Sequence, residues 1–117
     1  MREYRISDPY QIAYILEYCE KIERNIDGIR REKAVFDAEY ERQDLLSFYL
    51  LQIGEHANNT SEELRETTKE NIMWHQIRGM RNRIAHGYKS VNPEIVWEIV
   101  TKEISLLRQL AEILEKE

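Results

Sequence analysis

One cysteine, two prolines and four glycines are all that this 117-residue chain holds of the residues that staple, stop or sharply turn a backbone. The lone Cys19 excludes an intrachain disulfide and favours a reducing compartment. So little proline and glycine leaves few residues for loops, which predicts a helical chain. No run of 18 apolar residues exists, so no transmembrane helix is expected. Met1 is followed by charged and polar residues, not by the apolar stretch of a signal peptide. The expectation is a cytoplasmic protein with no membrane partner, one domain over residues 1–117, and one modest core.

Several chemistries are also missing. There is no phosphate-binding loop, no G-x-S-x-G and no H-E-x-x-H. The three histidines, His56, His75 and His86, include no i, i+4 pair, so neither a metal nor another cofactor is expected. A third absence is local. The chain has 22 acidic residues, yet none lies in residues 71–93. That segment carries Arg78, Arg81, Arg83 and Lys89, or +4, and with a net charge of −5 the rest of the chain is −9. An acidic body argues against a broad nucleic-acid surface, and no DNA partner is expected. A local cationic site suits a phosphate or another anionic substrate.

What is present is helical periodicity. Asp8 is placed to cap a first helix with Pro9 at its first position. Ile12, Ile15, Leu16, Cys19, Ile22 and Ile26 then recur at spacings of three and four, and Asp27-Gly28 is a stop. Residues 29–38 suit a turn or a single helical turn. A second long helix is predicted over 39–58. Leu45, Leu46, Phe48, Tyr49, Leu50, Leu51 and Ile53 cover most of its circumference, which predicts burial on two sides, the second against another copy of the chain. Thr60 with Glu63 reads as a capping box for a short helix to about Thr68. A further helix is predicted over 71–85, ending near Gly87. Asn92-Pro93 opens a last helix with Val96, Ile99, Val100, Leu107, Leu110, Ala111 and Leu114 as its stripe. No strand-like alternation appears. The fold class is all-α, a bundle of four to five helices that forms a homodimer.

Residues 74–88, WHQIRGMRNRIAHGY, hold the chemistry. On a regular helix Asn82 and His86 share a face. Arg81 falls about 140° round from His86 and meets it only if the helix ends there, which Gly87 permits. Arg78 sits one turn earlier as a second support beside Asn82, and Tyr88 lies just past the end. This set suits cleavage of an RNA phosphodiester without a metal. His86 moves the proton of a 2′-hydroxyl or of a leaving 5′-oxygen, and Arg81 holds the phosphate with its planar fork. One such histidine per chain is short of the acid and base required, and a symmetric dimer supplies two. The bland alternative is that arginine and histidine only complement a helix dipole. Cys19 lies on an apolar stripe and reads as core.

The segment Met80-Arg81-Asn82-Arg83-Ile84-Ala85-His86-Gly87-Tyr88 resembles the R-x4-H-x-Y signature of HepT-like toxins in the HEPN superfamily. Ile53-Gly54-Glu55, Trp74 with Ile77, Gly79 and Met80, and Val91-Asn92-Pro93 with Trp97, Val100 and Leu107 extend the likeness over about residues 8–114. The resemblance implies a HEPN-type bundle and a metal-independent ribonuclease of a toxin–antitoxin pair, acting on RNA across a homodimer cleft. Arg81 and His86 take the catalytic positions, with Asn82 beside them. It also implies a partner, a minimal nucleotidyltransferase antitoxin of the MntA type, that adds AMP to Tyr88. A bulky anion there would block the cleft and repel RNA. His56 departs from the family, where a small residue often follows the Gly-Glu pair. The alternatives are a non-catalytic module that binds a nucleotide or the nucleotidyltransferase, and a purely structural helical dimer.

Overall fold

The apolar stripe of residues 12–26 forms one face of a 21-residue helix, α1 (Asp8–Gly28), in a computed structural model that describes residues 7–79, 82, 84 and 92–116. Ile12, Ile15, Leu16, Cys19, Ile22 and Ile26 are all buried. The helix stops at Gly28 as read, but the left-handed turn comes two residues later, at Arg30 and Arg31, with φ of 56° and 54°. Arg31 N–H bonds Ile26 O at 3.0 Å and Arg30 N–H bonds Asp27 O at 2.9 Å. That paired closure satisfies carbonyls the helix end would otherwise leave open.

Six further helices follow among the described residues: α2 (Lys33–Ala38), α3 (Tyr40–Asn58), α4 (Glu62–Thr68), α5 (Trp74–Arg78), α6 (Pro93–Lys102) and α7 (Ile104–Glu115). α1 packs along α3 and α7, while α3 also meets α2, α5 and α6 and so lies at the centre. One core runs through all of them, from Ile15 and Ile22 on α1 through Leu46, Leu50 and Ile53 on α3 to Val96, Ile99 and Ile104. A partly buried ion pair between Arg108 and Glu23 ties α7 to α1. The fold is all-α, as the sequence predicts. No helix among the described residues is long and apolar enough to cross a membrane.

The count exceeds four to five for two local reasons, and one expected helix is cut short. Residues 33–38 do make a helical turn, α2. The last helix divides at Glu103, although its buried stripe continues from Val96 through Leu107 to Ala111. The helix expected over 71–85 is shorter and interrupted. Residues 71–73 are not helical, α5 starts at Trp74, and it ends at Gly79. Asn82 and Ile84 are helical again beyond that break.

Two capping assignments also shift. Ser7, not Asp8, is the N-cap of α1, and the Asp8 carboxylate is buried against α4, accepting from Ser61 N–H at 2.8 Å and from Ser61 Oγ. α4 is capped by Ser61, whose Oγ accepts from Leu64 N–H at 3.1 Å. Thr60 instead donates to Ala57 O at 2.7 Å. Asp8 thus clasps the start of one helix to the start of another, a long-range use that local pattern does not reveal. The Asn92 cap holds as read, accepting from Glu94 N–H at 3.0 Å with Pro93 in the first position.

Candidate functional site

α5 is oriented by two inward side chains. Trp74 and Ile77, three residues apart, are buried, and Trp74 Nε1 donates to Thr68 Oγ1 at 2.8 Å. His75, Gln76 and Arg78 are exposed. At its end Gly79 takes φ −84° and ψ 0°, and its N–H bonds His75 O at 3.0 Å. A Cβ at Gly79 would stand 3.1 Å from that same carbonyl, closer than a side chain comfortably sits. Asn82 N–H then bonds Gly79 O at 3.0 Å, which turns the chain directly into the next helical residues. Ile84, fully buried, anchors this segment in the core.

The break changes one expectation. Arg78 and Asn82 do not ride on a single regular helix, so the spacing that set them side by side does not apply across Gly79. Arg78 is held from elsewhere: its Nε donates to Asn58 Oδ1 at 2.9 Å, linking the ends of α5 and α3. Asn82 is exposed. Arg81, Arg83, His86, Gly87, Tyr88 and Lys89 lie outside the described residues. The Asn58 contact was missed by sequence reasoning. The only signal was the Asn58-Asn59 pair, which reads as a helix end and says nothing of a partner 20 residues on.

Beside this point lies an open groove of about 710 Å³ between the outward faces of α4 and α5. Arg65, Lys69, His75 and Arg78 line it, with Glu62 and Glu66 on the α4 wall. Lys69 Nζ pairs with Glu66 Oε1 at 2.5 Å. A second hollow, about 270 Å³, is walled by Ile72, Met73, Ile77, Leu106, Leu107 and Leu110. Its lining is mainly apolar, and Lys102, its one cation among the described residues, is followed by Glu103. Among the described residues no group of three or more His, Cys, Asp or Glu is arranged to hold a metal ion.

His56 turns away from Arg78. Its ring stacks on Tyr14 at 4.7 Å and 2°, and its Nδ1 stands 2.7 Å from Gln11 Oε1, both on α1. Asn58, two residues on and so about 200° round the helix, faces Arg78. Desolvation lowers the His56 pKa from 6.5, against a smaller opposing effect of the Glu55 carboxylate. Because the folded value is the lower one, the unfolded chain takes up this proton first. The His56 contribution to stability is therefore complete above 6.5 and declines as pH falls below it. His56→Gln should flatten that part of the acid-side decline, read as the difference in urea midpoint between pH 7.5 and 5.5. An unchanged pH difference would remove His56 from the account. Burial likewise pushes the Cys19 thiol far up, which fits a core residue.

Residues 15–115 match the family model described as "Ribonuclease HepT-like", and the chain belongs to that family. It is 38% identical over 110 residues to the protein of Caldanaerobacter subterraneus subsp. tengcongensis named "Putative RNase TTE0752", covering 93% of this chain and 95% of that one. No solved structure matches the chain.

Proposed function

We propose that this protein is a metal-independent endoribonuclease, the toxin of a toxin–antitoxin pair, working as a homodimer with its active site formed across the two copies. The observation that carries the reading is the Arg81, His86 and Tyr88 set inside an acid-free stretch of a HepT-like ribonuclease chain. His86 takes the proton of the 2′-hydroxyl as the 2′-oxygen attacks phosphorus, or gives one to the departing 5′-oxygen. Arg81 holds the phosphate and balances the charge that builds on it. Asn82 and Arg78 support them. A minimal nucleotidyltransferase of the MntA type silences the site by adding AMP to Tyr88, placing a bulky anion where RNA must enter.

Support for the dimer comes from α3. Leu46, Leu50 and Ile53 fill the core, while Leu45 and Phe48 remain 40% and 49% exposed. Phe48, Tyr49 and Tyr18 form a run of neighbouring rings, with centroid separations of 6.1 and 5.7 Å. An apolar, aromatic face on the central helix of so short a chain suits a symmetric contact.

The test is RNA cleavage by the purified protein in excess EDTA, with Arg81→Ala beside it. Cleavage in EDTA that Arg81→Ala removes, with the melting temperature retained, supports the reading; cleavage that survives Arg81→Ala ends it. The acidic net charge of −5 favours a second reading, a non-catalytic module that binds a nucleotide or the nucleotidyltransferase. That reading requires no cleavage and no growth arrest when the chain is expressed alone.

A further inference from the structure

The ribonuclease reading assigns the reacting groups but not the path of the strand that reaches them. Of the residues lining the α4–α5 groove, Arg78 stands nearest in sequence to Arg81. Arg78 lines the groove, ends α5, and is followed at once by the Gly79 turn whose carbonyl accepts from Asn82. Its wall on the α5 side is free of carboxylates, since residues 71–79 contain none. On the α4 side Arg65 and Lys69 alternate with Glu62 and Glu66, and Lys69 is already paired to Glu66. Positive charge not locally offset is therefore concentrated at Arg78, three residues before Arg81 in the sequence.

Arg78 is also held in a particular way. Asn58 Oδ1 takes its Nε–H, and this is its hydrogen bond among the described residues. A guanidinium held through Nε still presents its two terminal nitrogens as a planar pair. That edge is the one which grips a phosphate by two parallel hydrogen bonds. Lysine offers no equivalent, because it has neither a second anchoring nitrogen nor a fork.

We propose that the groove between α4 and α5 takes the single-stranded RNA adjoining the cleaved bond, and that Arg78, oriented by Asn58, grips a phosphate of that strand. Arg78 is the binding residue and Asn58 the positioning residue. This inference rests on the ribonuclease reading. It adds to that reading a strand path and a residue, Asn58, that lies outside the motif.

The test uses the full-length chain made inactive by His86→Ala, and a fluorescent 12-nucleotide single-stranded RNA followed by anisotropy at several salt concentrations. Arg78→Ala should weaken binding about tenfold and reduce the slope of log affinity against log salt by roughly 0.7, the signature of one lost phosphate contact on a single strand. Arg78→Lys, which keeps the charge, should recover the slope but only part of the affinity. Asn58→Ala should weaken binding several-fold with the slope retained, and in the cleavage-competent chain should raise KM with little change in kcat. Lys21→Ala, a charge removed from α1, should leave both affinity and slope unchanged. Because Arg78 is exposed, its variants are expected to fold, and melting temperatures verify this. If Asn58→Ala lowers the melting temperature but leaves affinity and KM unaltered, the Arg78–Asn58 bond is only a tie between helix ends and the inference is overturned. If the chain cleaves RNA and Arg78→Ala leaves affinity and slope unchanged, the groove assignment falls while the ribonuclease reading stands. If the wild-type chain neither cuts nor binds the RNA, both fall together.

Discussion

His86→Ala should lower RNA cleavage by about 10²–10⁴-fold, the range expected for removing a positioned general acid or base, while leaving the melting temperature close to that of the parent chain. The size follows from what the sequence leaves for proton transfer. His56 is engaged with Gln11 and Tyr14 on α1, and His75 stands on the groove face of α5. His86 is then the imidazole that the motif supplies, one per copy. A dimer of one parent and one His86→Ala chain separates two arrangements. If both histidines serve a single cleft as acid and base, the mixed dimer should be nearly as slow as the double variant. If each copy works alone, it should retain about half the parent rate. His75→Ala should cost far less than His86→Ala. A loss of less than about tenfold in His86→Ala would remove proton transfer by this residue from the mechanism.

The architecture was legible in the sequence wherever burial has a period. The α1 stripe and the Asn92-Pro93 start of α6 required only three- and four-residue spacing and a local cap. The errors have two physical origins, a long-range contact at Asp8 and competing local hydrogen bonds at Thr60 and Gly79. Asp8 is a good cap by composition, yet its carboxylate is committed to Ser61, 53 residues away. The capping box at Thr60 was one residue early because Thr60 donates back to Ala57, which leaves Ser61 to cap α4. The helix through the motif was drawn too long because periodicity ran on across Gly79, where the chain turns. For the site, residue types and their acid-free setting were legible. Asn58 was not, because an asparagine at a helix end is satisfied by many local arrangements. Only the packing of α5 against α3 brings it to Arg78. For the over-apolar α3, one side is core as the sequence predicts, and the side bearing Leu45 and Phe48, expected to meet another copy, is exposed in the single chain.

Phe36→Ala should destabilise the chain by about 3–5 kcal/mol, as expected for truncating a fully buried phenylalanine, and lower the melting temperature by roughly 10–20 °C for a domain of this size. Phe36 is the one buried residue of α2 and is completely inaccessible to solvent. Its ring meets Trp97 of α6 at 5.0 Å. Its carbonyl accepts from the buried Gln43 Nε2 of α3 at 2.9 Å. A six-residue helix has too few turns to persist by itself, so the side chain that docks α2 also keeps it helical. Truncation opens a cavity beside Trp97, frees α2, and exposes the Gln43 amide's partner to movement at once. Phe48→Ala provides the contrast. It is the same substitution on an adjacent helix, but its ring is already 49% exposed. It should cost the isolated chain about 1 kcal/mol or less and act instead on self-association, lowering the dimer fraction in sedimentation equilibrium. Phe36→Ala should do the reverse, reducing the urea midpoint even where the folded fraction remains dimeric. A Phe36→Ala melting temperature within about 3 °C of the parent would mean that α2 is a loosely held flap, and that the core of this protein ends at α3.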